Sequence, residues 1–141
     1  SRANKSYGNE EQTMAMCTKL LLNDIPISIA FEDGKVINKI WGIYLKYDMD
    51  NADITLYYMP ENLVKSDNPG VVVTYFKCTG DRYLAVVGNI TKEEQSAVIN
   101  LSKVRKNLSN VRDEWLEKDI SANDGKINVK IPARLFTIIG F

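Results

Sequence analysis

The chain has 141 residues, of which 45% are hydrophobic and 26% are charged, the proportions of an ordinary globular domain. Eighteen basic and eighteen acidic side chains cancel to a net charge of zero, which argues against nucleic acid or an anionic membrane surface as a partner. The absence of histidine excludes His-dependent nucleophiles, His zinc sites and His general bases, and no apolar run approaches the ~20 residues that span a bilayer.

A chain of this length suits one domain, or one small domain joined to an element of another. It can bury roughly 70% of the surface of its unfolded state, so we expect no disulfide, metal or other cofactor to be needed for its core. Cys17 and Cys78 lack metal-ligand spacing and read as small buried hydrophobes, the alternative being a functional thiol. The polar first nine residues suggest that the sequence begins partway along a longer polypeptide.

The first third of the sequence has helical periodicity. Asn9 is a candidate N-cap for a helix with an apolar stripe at positions 14, 17 and 21. The run "IPISIAF" from Ile25 favours a short strand. A second helix, capped by Asp33, carries apolar residues at three- and four-residue steps and should bury one broad face: Val36, Ile37, Ile40, Trp41, Tyr44 and Tyr47.

After Asp48 the rhythm changes to short strands separated by turn residues. Strand-like runs are "DITLYYM", "VVVTYFK", "RYLAVVGN", "SAVINL", "NVRDEWL", "KINVKI" and "LFTIIGF", and "ENLVKSDNPG" reads as a polar loop. The "NDG" before Ile127 is a hairpin signal. The fold class predicted is α+β: a mainly antiparallel β-sandwich of about six to eight strands, preceded by two α-helices and a short strand.

The order of turns and strands in this second part carries a family resemblance. A Gly-Asn-Ile-Thr turn at residues 88–91 is followed by a strand ending in Leu101, a strand bearing Trp115, a polar Asp-Gly-Lys hairpin at 124–126 and an apolar strand at 135–141. This series resembles the C-terminal antiparallel β-domain of many bacterial glycoside hydrolases. Residues 18–58 are similar to the last helix–strand–helix of the catalytic (β/α) barrel in the same enzymes.

The resemblance implies a division of the chain at residue 48. Residues 1–48 would be a helical α/β segment from the end of a catalytic barrel, and residues 49–141 an antiparallel β-sandwich domain. The barrel of the parent chain, with the catalytic residues, would lie mostly N-terminal to this sequence, and enzymes of this type are usually exported. On this interpretation the two final strands complete the sandwich, and we assign no catalytic residue to the chain itself.

Glu32 and Asp33 are candidate substrate-binding residues. If residues 25–30 form a barrel strand, both carboxylates lie just past its C-terminal end, where barrel active sites are built, and paired carboxylates serve glycosidic chemistry. The alternative, which we favour, is that Asp33 caps the following helix and Glu32 is solvated. On that alternative, Glu32→Gln in the full-length enzyme should leave turnover nearly intact.

Aromatic residues are the second candidate, because carbohydrate-binding surfaces stack exposed rings on sugars. Tyr57 and Tyr58 are adjacent in a predicted strand, so they should face opposite sides of it and not form one platform. For Trp41 and Trp115 we favour core packing over ligand stacking.

A basic stretch, "KVRKNLSNVR", gathers Lys103, Arg105, Lys106 and Arg112. Such a cluster can mark a polyanion site, but acidic residues follow at once, and we favour a solvated loop. The Asn-x-Ser/Thr triplets at Asn4, Asn89 and Asn107 fit the glycosylation pattern, although Asn89 is sufficiently explained as a turn former.

Three classes of function remain. The first is a non-catalytic β-domain that supports a glycoside hydrolase barrel, and it should display an apolar patch beside the helix stripes at 14/17/21 and 36/40/44. The second is a carbohydrate-binding module with exposed rings around a groove. The third, an independent small enzyme, is disfavoured by the missing histidines and the lack of an acid pair. Alone, the chain should dimerise or be poorly soluble through its apolar helix faces.

Overall fold

The computed structural model describes residues 10–25 and 34–141. In chain order the elements are α1 (Glu10–Leu22), α2 (Gly34–Lys46), a 3-10 helix (Met49–Asn51), β1 (Asp53–Thr55), β2 (Lys65–Ser66), β3 (Val71–Cys78), β4 (Arg82–Asn89), β5 (Gln95–Asn100), β6 (Val111–Asp113), β7 (Lys118–Ile120), β8 (Lys126–Ile131) and β9 (Phe136–Gly140). The strand expected from Ile25 onward, with Glu32 and Asp33 after it, falls in 26–33, outside the described residues.

The strands form two antiparallel sheets. A six-stranded sheet has the order β1-β3-β4-β9-β6-β7, and a three-stranded sheet has the order β2-β5-β8. The last strand, β9, lies between β4 and β6, with Val86 opposite Ile138. The predicted α+β class, with two helices before a mainly antiparallel sandwich, is confirmed.

The molecule has three layers, because the six-stranded sheet is covered on both faces. Along β4, Leu84 and Val86 belong to the apolar cluster under the helices, whereas Ala85 and Val87 belong to the cluster facing the three-stranded sheet. This alternation follows from the two-residue period of a strand, and burial on both faces explains why "LAVV" is apolar without interruption. The stripes at 14/17/21 and 36/40/44 are turned toward this sheet, with Cys17 and Ile40 fully buried.

The turn predictions from glycine and asparagine are confirmed. Asp124 and Gly125 both have positive φ (53° and 75°), and Asn123 pairs with Lys126, as in a tight hairpin turn. The strands on its two sides belong to different sheets, β7 to the larger and β8 to the smaller. In the loop before β3, Asn68, Pro69 and Gly70 form a turn in which the Gly70 N–H donates to the side-chain oxygen of Asn68 at 2.9 Å.

Three predicted elements differ from the structure. The run "DITLYYM" is a strand only over β1, because the Tyr57 N–H turns away to donate to the Thr74 hydroxyl at 3.0 Å. The run "NVRDEWL" splits into β6 and a turn that leads to β7. The polar loop "ENLVKSDNPG" contains the two-residue strand β2, which pairs with β5.

The tryptophans have opposite environments. Trp115 is buried, with its ring centroid 4.9 Å from that of Phe136 and the Lys39 ammonium 4.6 Å above it, so the core interpretation is confirmed. Trp41 is 42% exposed, so the prediction that it is core was wrong. The buried residues of α2 are Val36, Ile37, Ile40 and Ile43. Trp41 lies next to them, because each residue turns the helix by about 100°.

Candidate functional site: an apolar surface on the second helix

Of the four predicted substrate-binding residues, the structure describes Tyr57 and Tyr58. Glu32 and Asp33 are outside the described residues. Tyr57 and Tyr58 lie in a turn after β1, with ring centroids 5.2 Å apart and planes at 87°. Tyr57 packs against the core under the helices, and Tyr58 is 63% exposed. The two rings contact each other edge to face, so they form no flat platform, although the reason is the turn and not strand alternation.

An apolar surface lies on α2 and the segments next to it, beside the 36/40/44 stripe where a patch was expected. We call it the Trp41 surface and define it as Ile25, Trp41, Tyr44, Leu45 and Met49. Leu45 is 81% exposed and Ile25 is 50% exposed. Trp41 and Leu45 are four residues apart and therefore share one helix face. The surface borders two cavities of about 420 Å³ each, and Trp41, Tyr44 and Met49 line both.

Acidic side chains surround this apolar surface. Asp24 and Asp50 line the first cavity, and Asp48 and Asp50 line the second. Burial raises the pKa of Asp24, and burial, followed by the charge of Asp24, raises the pKa of Tyr44. The Trp41 surface therefore combines an apolar centre with an anionic edge. The sequence carried a signal for this surface, because α2 has apolar residues at 41 and 45 in addition to the stripe at 36, 40 and 44. One buried helix face does not need both rows.

A third concavity, a groove of about 570 Å³, lies between the two sheets and is lined from both. Its buried acid, Asp113, accepts hydrogen bonds from the Thr137 hydroxyl and the Leu116 N–H, each at 2.7 Å. The groove also contains Lys118, Asp119 and Lys130, so its charges are mixed. Among the described residues that line it, there is no tryptophan or tyrosine.

The neighbouring acid, Glu114, joins the second helix to the six-stranded sheet. Both of its carboxylate oxygens accept from the Lys46 ammonium, at 2.9 and 3.0 Å, and one accepts from the Tyr47 hydroxyl at 2.8 Å. Burial, followed by this hydrogen bond, raises the pKa of Tyr47. Asp113 and Glu114 are consecutive, and they point to opposite sides of the sheet. They therefore do not face each other across a common space as a glycosidase acid pair does.

The asparagines of the Asn-x-Ser/Thr triplets differ in their exposure to solvent. Asn89 is fully buried, and its amide lies within 2.8–3.1 Å of the carbonyl oxygens of Glu93, Ile131 and Pro132. It is a turn former, as predicted, and has no surface for a glycan. Asn107 is exposed, and Asn4 lies outside the described residues.

Across residues 10–25 and 34–141, no three His, Cys, Asp or Glu side chains are grouped as a metal site would require. In the same part of the chain, no helix is long and apolar enough to cross a bilayer. Both cysteines are buried, and no disulfide joins them.

No protein-family model matches the sequence, and none of the curated proteins matches it either. Solved structures do share the fold. A GH27 β-L-arabinopyranosidase from Geobacillus stearothermophilus aligns with 89% of this chain at a TM-score of 0.56 and 13% identity. An Anoxybacillus α-amylase aligns with 84% at a TM-score of 0.53 and 14% identity. A maltogenic α-amylase from Thermotoga neapolitana aligns with 83% at a TM-score of 0.53 and 17% identity.

These structural neighbours are glycoside hydrolases, and at this level of identity the likeness shows the fold alone. The aligned part is a small share of each enzyme. The chain covers 28% of the arabinopyranosidase, 24% of the Anoxybacillus α-amylase and 28% of the Thermotoga α-amylase.

Proposed function

We propose that this chain is a non-catalytic β-domain of a larger glycoside hydrolase, packing against the enzyme's catalytic barrel and stabilising it. The observation that carries the proposal is the shared fold: 83–89% of this chain aligns with glycoside hydrolases of which it covers 24–28%. The substrates of those enzymes are not transferred to this chain, because fold similarity at this identity does not specify a substrate.

A non-catalytic role is supported by the two buried acids. Asp113 and Glu114 are each held by hydrogen bonds that tie one element to another. Within the described residues, no buried side-chain nitrogen or oxygen lacks a hydrogen-bond partner. Buried acids whose hydrogen bonds all go to internal partners stabilise the fold. If such an acid moved to bind a substrate, its partner would be left buried without a hydrogen bond.

The Trp41 surface is the contact that we propose for the barrel. Single exposed apolar residues are ordinary, but Trp41, Leu45 and Ile25 form a group beside two cavities. The acidic edge at Asp24, Asp48 and Asp50 suits a barrel surface whose apolar centre is flanked by lysine or arginine. A barrel packed on this surface would bury the apolar side chains that are exposed on the outer side of the helices.

The test is Leu45→Glu in the full-length protein, compared with Ile90→Glu. Both side chains are exposed in this chain, 81% and 55%, and only Leu45 belongs to the Trp41 surface. A buried leucine contributes about 1.5–3 kcal/mol. We therefore expect Leu45→Glu to lower the Tm of the whole enzyme by several degrees, while kcat/KM per folded enzyme stays unchanged. Equal Tm values for the two variants would refute the proposed contact.

A second candidate function is carbohydrate binding through exposed aromatic rings. The observation that favours it is the exposure of Trp41 beside the carboxylates of Asp48 and Asp50, since a ring face and acidic acceptors together suit a sugar. Isothermal titration of this chain with neutral oligosaccharides separates the two functions. If the chain binds carbohydrate, the titration should show a saturable heat of binding that is lost in Trp41→Ala. If the Trp41 surface is only a contact to the barrel, no heat of oligosaccharide binding is expected.

A further inference from the structure

A fourth concavity lies where the turn between β3 and β4, the end of β9 and the loop before β6 meet. It has a volume of about 250 Å³. Its lining includes three guanidinium groups and three neutral polar side chains: Arg82, Arg105, Arg112, Asn107, Ser109 and Asn110. Arg105 and Arg112 come from the basic stretch of the sequence, and the fold adds Arg82 from the β3–β4 hairpin.

Neutral partners hold the guanidinium group of Arg82 in place, and that of Arg105 contacts a neutral ring in addition to its acidic partner Asp81. Arg82 donates to the carbonyl oxygens of Thr79 and Lys46, at 3.0 and 2.9 Å, and its Cζ lies 5.0 Å from the Tyr47 ring centroid. The Cζ of Arg105 lies 5.2 Å from the ring centroid of Tyr83. Carbonyl and ring contacts orient a guanidinium without neutralising its charge.

The charges around the cavity are unbalanced. Asp81 is the one acid in the described lining, and it pairs with Arg105 at 3.1 Å. Arg112 is held loosely, because its Nη1 is 3.4 Å from Asp119 and its Nε is 3.9 Å from Glu114. Within the described lining, three guanidinium groups face one carboxylate, while Asp119 and Glu114 contact Arg112 from outside the lining. The excess of positive groups on the lining itself favours an anion there.

We propose that this cavity is a binding site for a small oxyanion. A guanidinium presents parallel N–H donors that match carboxylate, sulfate or phosphate oxygens, and Arg112 is free to exchange its long contact with Asp119 for such a ligand. Asn107, Ser109 and Asn110 supply further donors on the same wall. The small volume suits a single anionic group and not a nucleic-acid backbone. The oxyanion could come from a free inorganic ion or from the carboxylate of an acidic sugar. The proposed site is independent of the proposed function.

The experiment is an NMR and calorimetric titration of the 141-residue chain at low ionic strength with sulfate, phosphate and glucuronate, and with glucose as the neutral control. We expect saturable binding of at least one anion, with amide shifts centred on Asn107, Ser109 and Asn110, and no binding of glucose. Tighter binding of glucuronate than of either inorganic ion assigns the sugar acid as the source. The reverse order assigns a free inorganic ion.

Matched variants test the assignment to this cavity. Arg112→Gln removes a lining charge, and Lys103→Gln removes the same charge from the same basic stretch outside the lining. A charge-assisted hydrogen bond contributes about 1.5–3 kcal/mol, so we expect Arg112→Gln to weaken binding by about tenfold or more and Lys103→Gln by less than about twofold. Arg105→Gln should act like Arg112→Gln. Absence of saturable binding to the unsubstituted chain, or equal weakening by Arg112→Gln and Lys103→Gln, would overturn the proposal.

Discussion

Asn89 joins both sheets through one side chain. Its amide is close to three carbonyl oxygens, and its side-chain oxygen accepts from the Thr91 N–H and hydroxyl at 2.9 and 2.7 Å. Two of those carbonyls belong to Ile131 and Pro132, the end of β8 and the residue after it. The turn after β4 and the end of β8 are thereby fixed to each other.

We predict that Asn89→Ala lowers the free energy of unfolding by about 2–4 kcal/mol, because several buried polar groups lose their partner at once. Asn107→Ala is the control, since it removes an exposed asparagine from the same kind of triplet. Urea denaturation of both variants provides the comparison. A loss below about 0.5 kcal/mol for Asn89→Ala, the size typical of surface substitutions, would show that the turn does not depend on this side chain.

Gly140 is required by a close approach between layers. A Cβ at this position in β9 would overlap the Tyr47 hydroxyl and lie 2.9 Å from the ring carbon that bears it. Gly140→Ala must therefore push Tyr47 away from Glu114, and we expect a loss of about 1–3 kcal/mol, as for other overpacked cores.

Gly42, exposed in the middle of α2, is the matched control for Gly140. An added Cβ there meets nothing within 4 Å, so Gly42→Ala should stabilise this chain by about 0.5–1 kcal/mol through helix propensity. Thermal denaturation should move the two variants in opposite directions. A destabilised Gly42→Ala together with an unchanged Gly140→Ala would contradict the close approach of Tyr47 to Gly140 of β9.

At the scale of elements, the contact between α2 and the sheet makes stability depend on alkaline pH. The neutral forms of Tyr44 and Tyr47 are favoured in the fold, since burial above all raises both pKa values. A raised folded pKa contributes stability that is complete below the ordinary pKa of about 10 and is lost as the pH rises above it. We therefore predict that the free energy of unfolding falls as the pH rises beyond about 10.

Tyr47→Phe identifies the contribution of one phenol. It should cost about 1 kcal/mol at neutral pH, through the lost bond to Glu114, and should flatten the alkaline decline. Tyr58→Phe changes an exposed phenol and should leave the slope unaltered. An identical decline in the unsubstituted chain and Tyr47→Phe would show that the phenol of Tyr47 does not titrate with unfolding.

The elements that sequence predicted well are those fixed by local chemistry. Strand β8 alternates in sequence and in burial, and the Asp124–Gly125 turn before it needs positive φ. Sequence could not show that this turn connects different sheets, because sheet membership depends on distant pairings. It also placed Trp41 in the core, since periodicity gives the apolar rows of a helix but not which row meets the sheet.

The candidate sites were less predictable than the fold. Arg105 and Arg112 were visible as part of a basic stretch, but Arg82 reaches the same cavity from a hairpin more than twenty residues earlier. The predicted docking patch was expected beside the 36/40/44 stripe, and the exposed Trp41 and Leu45 lie there. Whether the patch docks on a barrel stays a prediction.

At the scale of the whole molecule, the helices and the sheet share one apolar cluster. Cys17 and Leu21 of α1, Ile37 of α2, and Leu84 and Ile138 of the sheet are all members of it. Residues on both sides of position 48 therefore contribute to one cluster, and the division expected there stays a prediction. If the chain is a β-domain of a glycoside hydrolase, these helices are part of that domain. Their outer side would then contact the barrel.

The most direct measurement of this account is amide hydrogen exchange of residues 34–51, compared between this chain alone and the full-length protein. The account predicts slower exchange in the full-length protein for Trp41 through Met49, with little change at the groove residues Lys118 and Lys130, because the barrel covers only the Trp41 surface. Unchanged exchange across α2, or added protection confined to the groove, would contradict it.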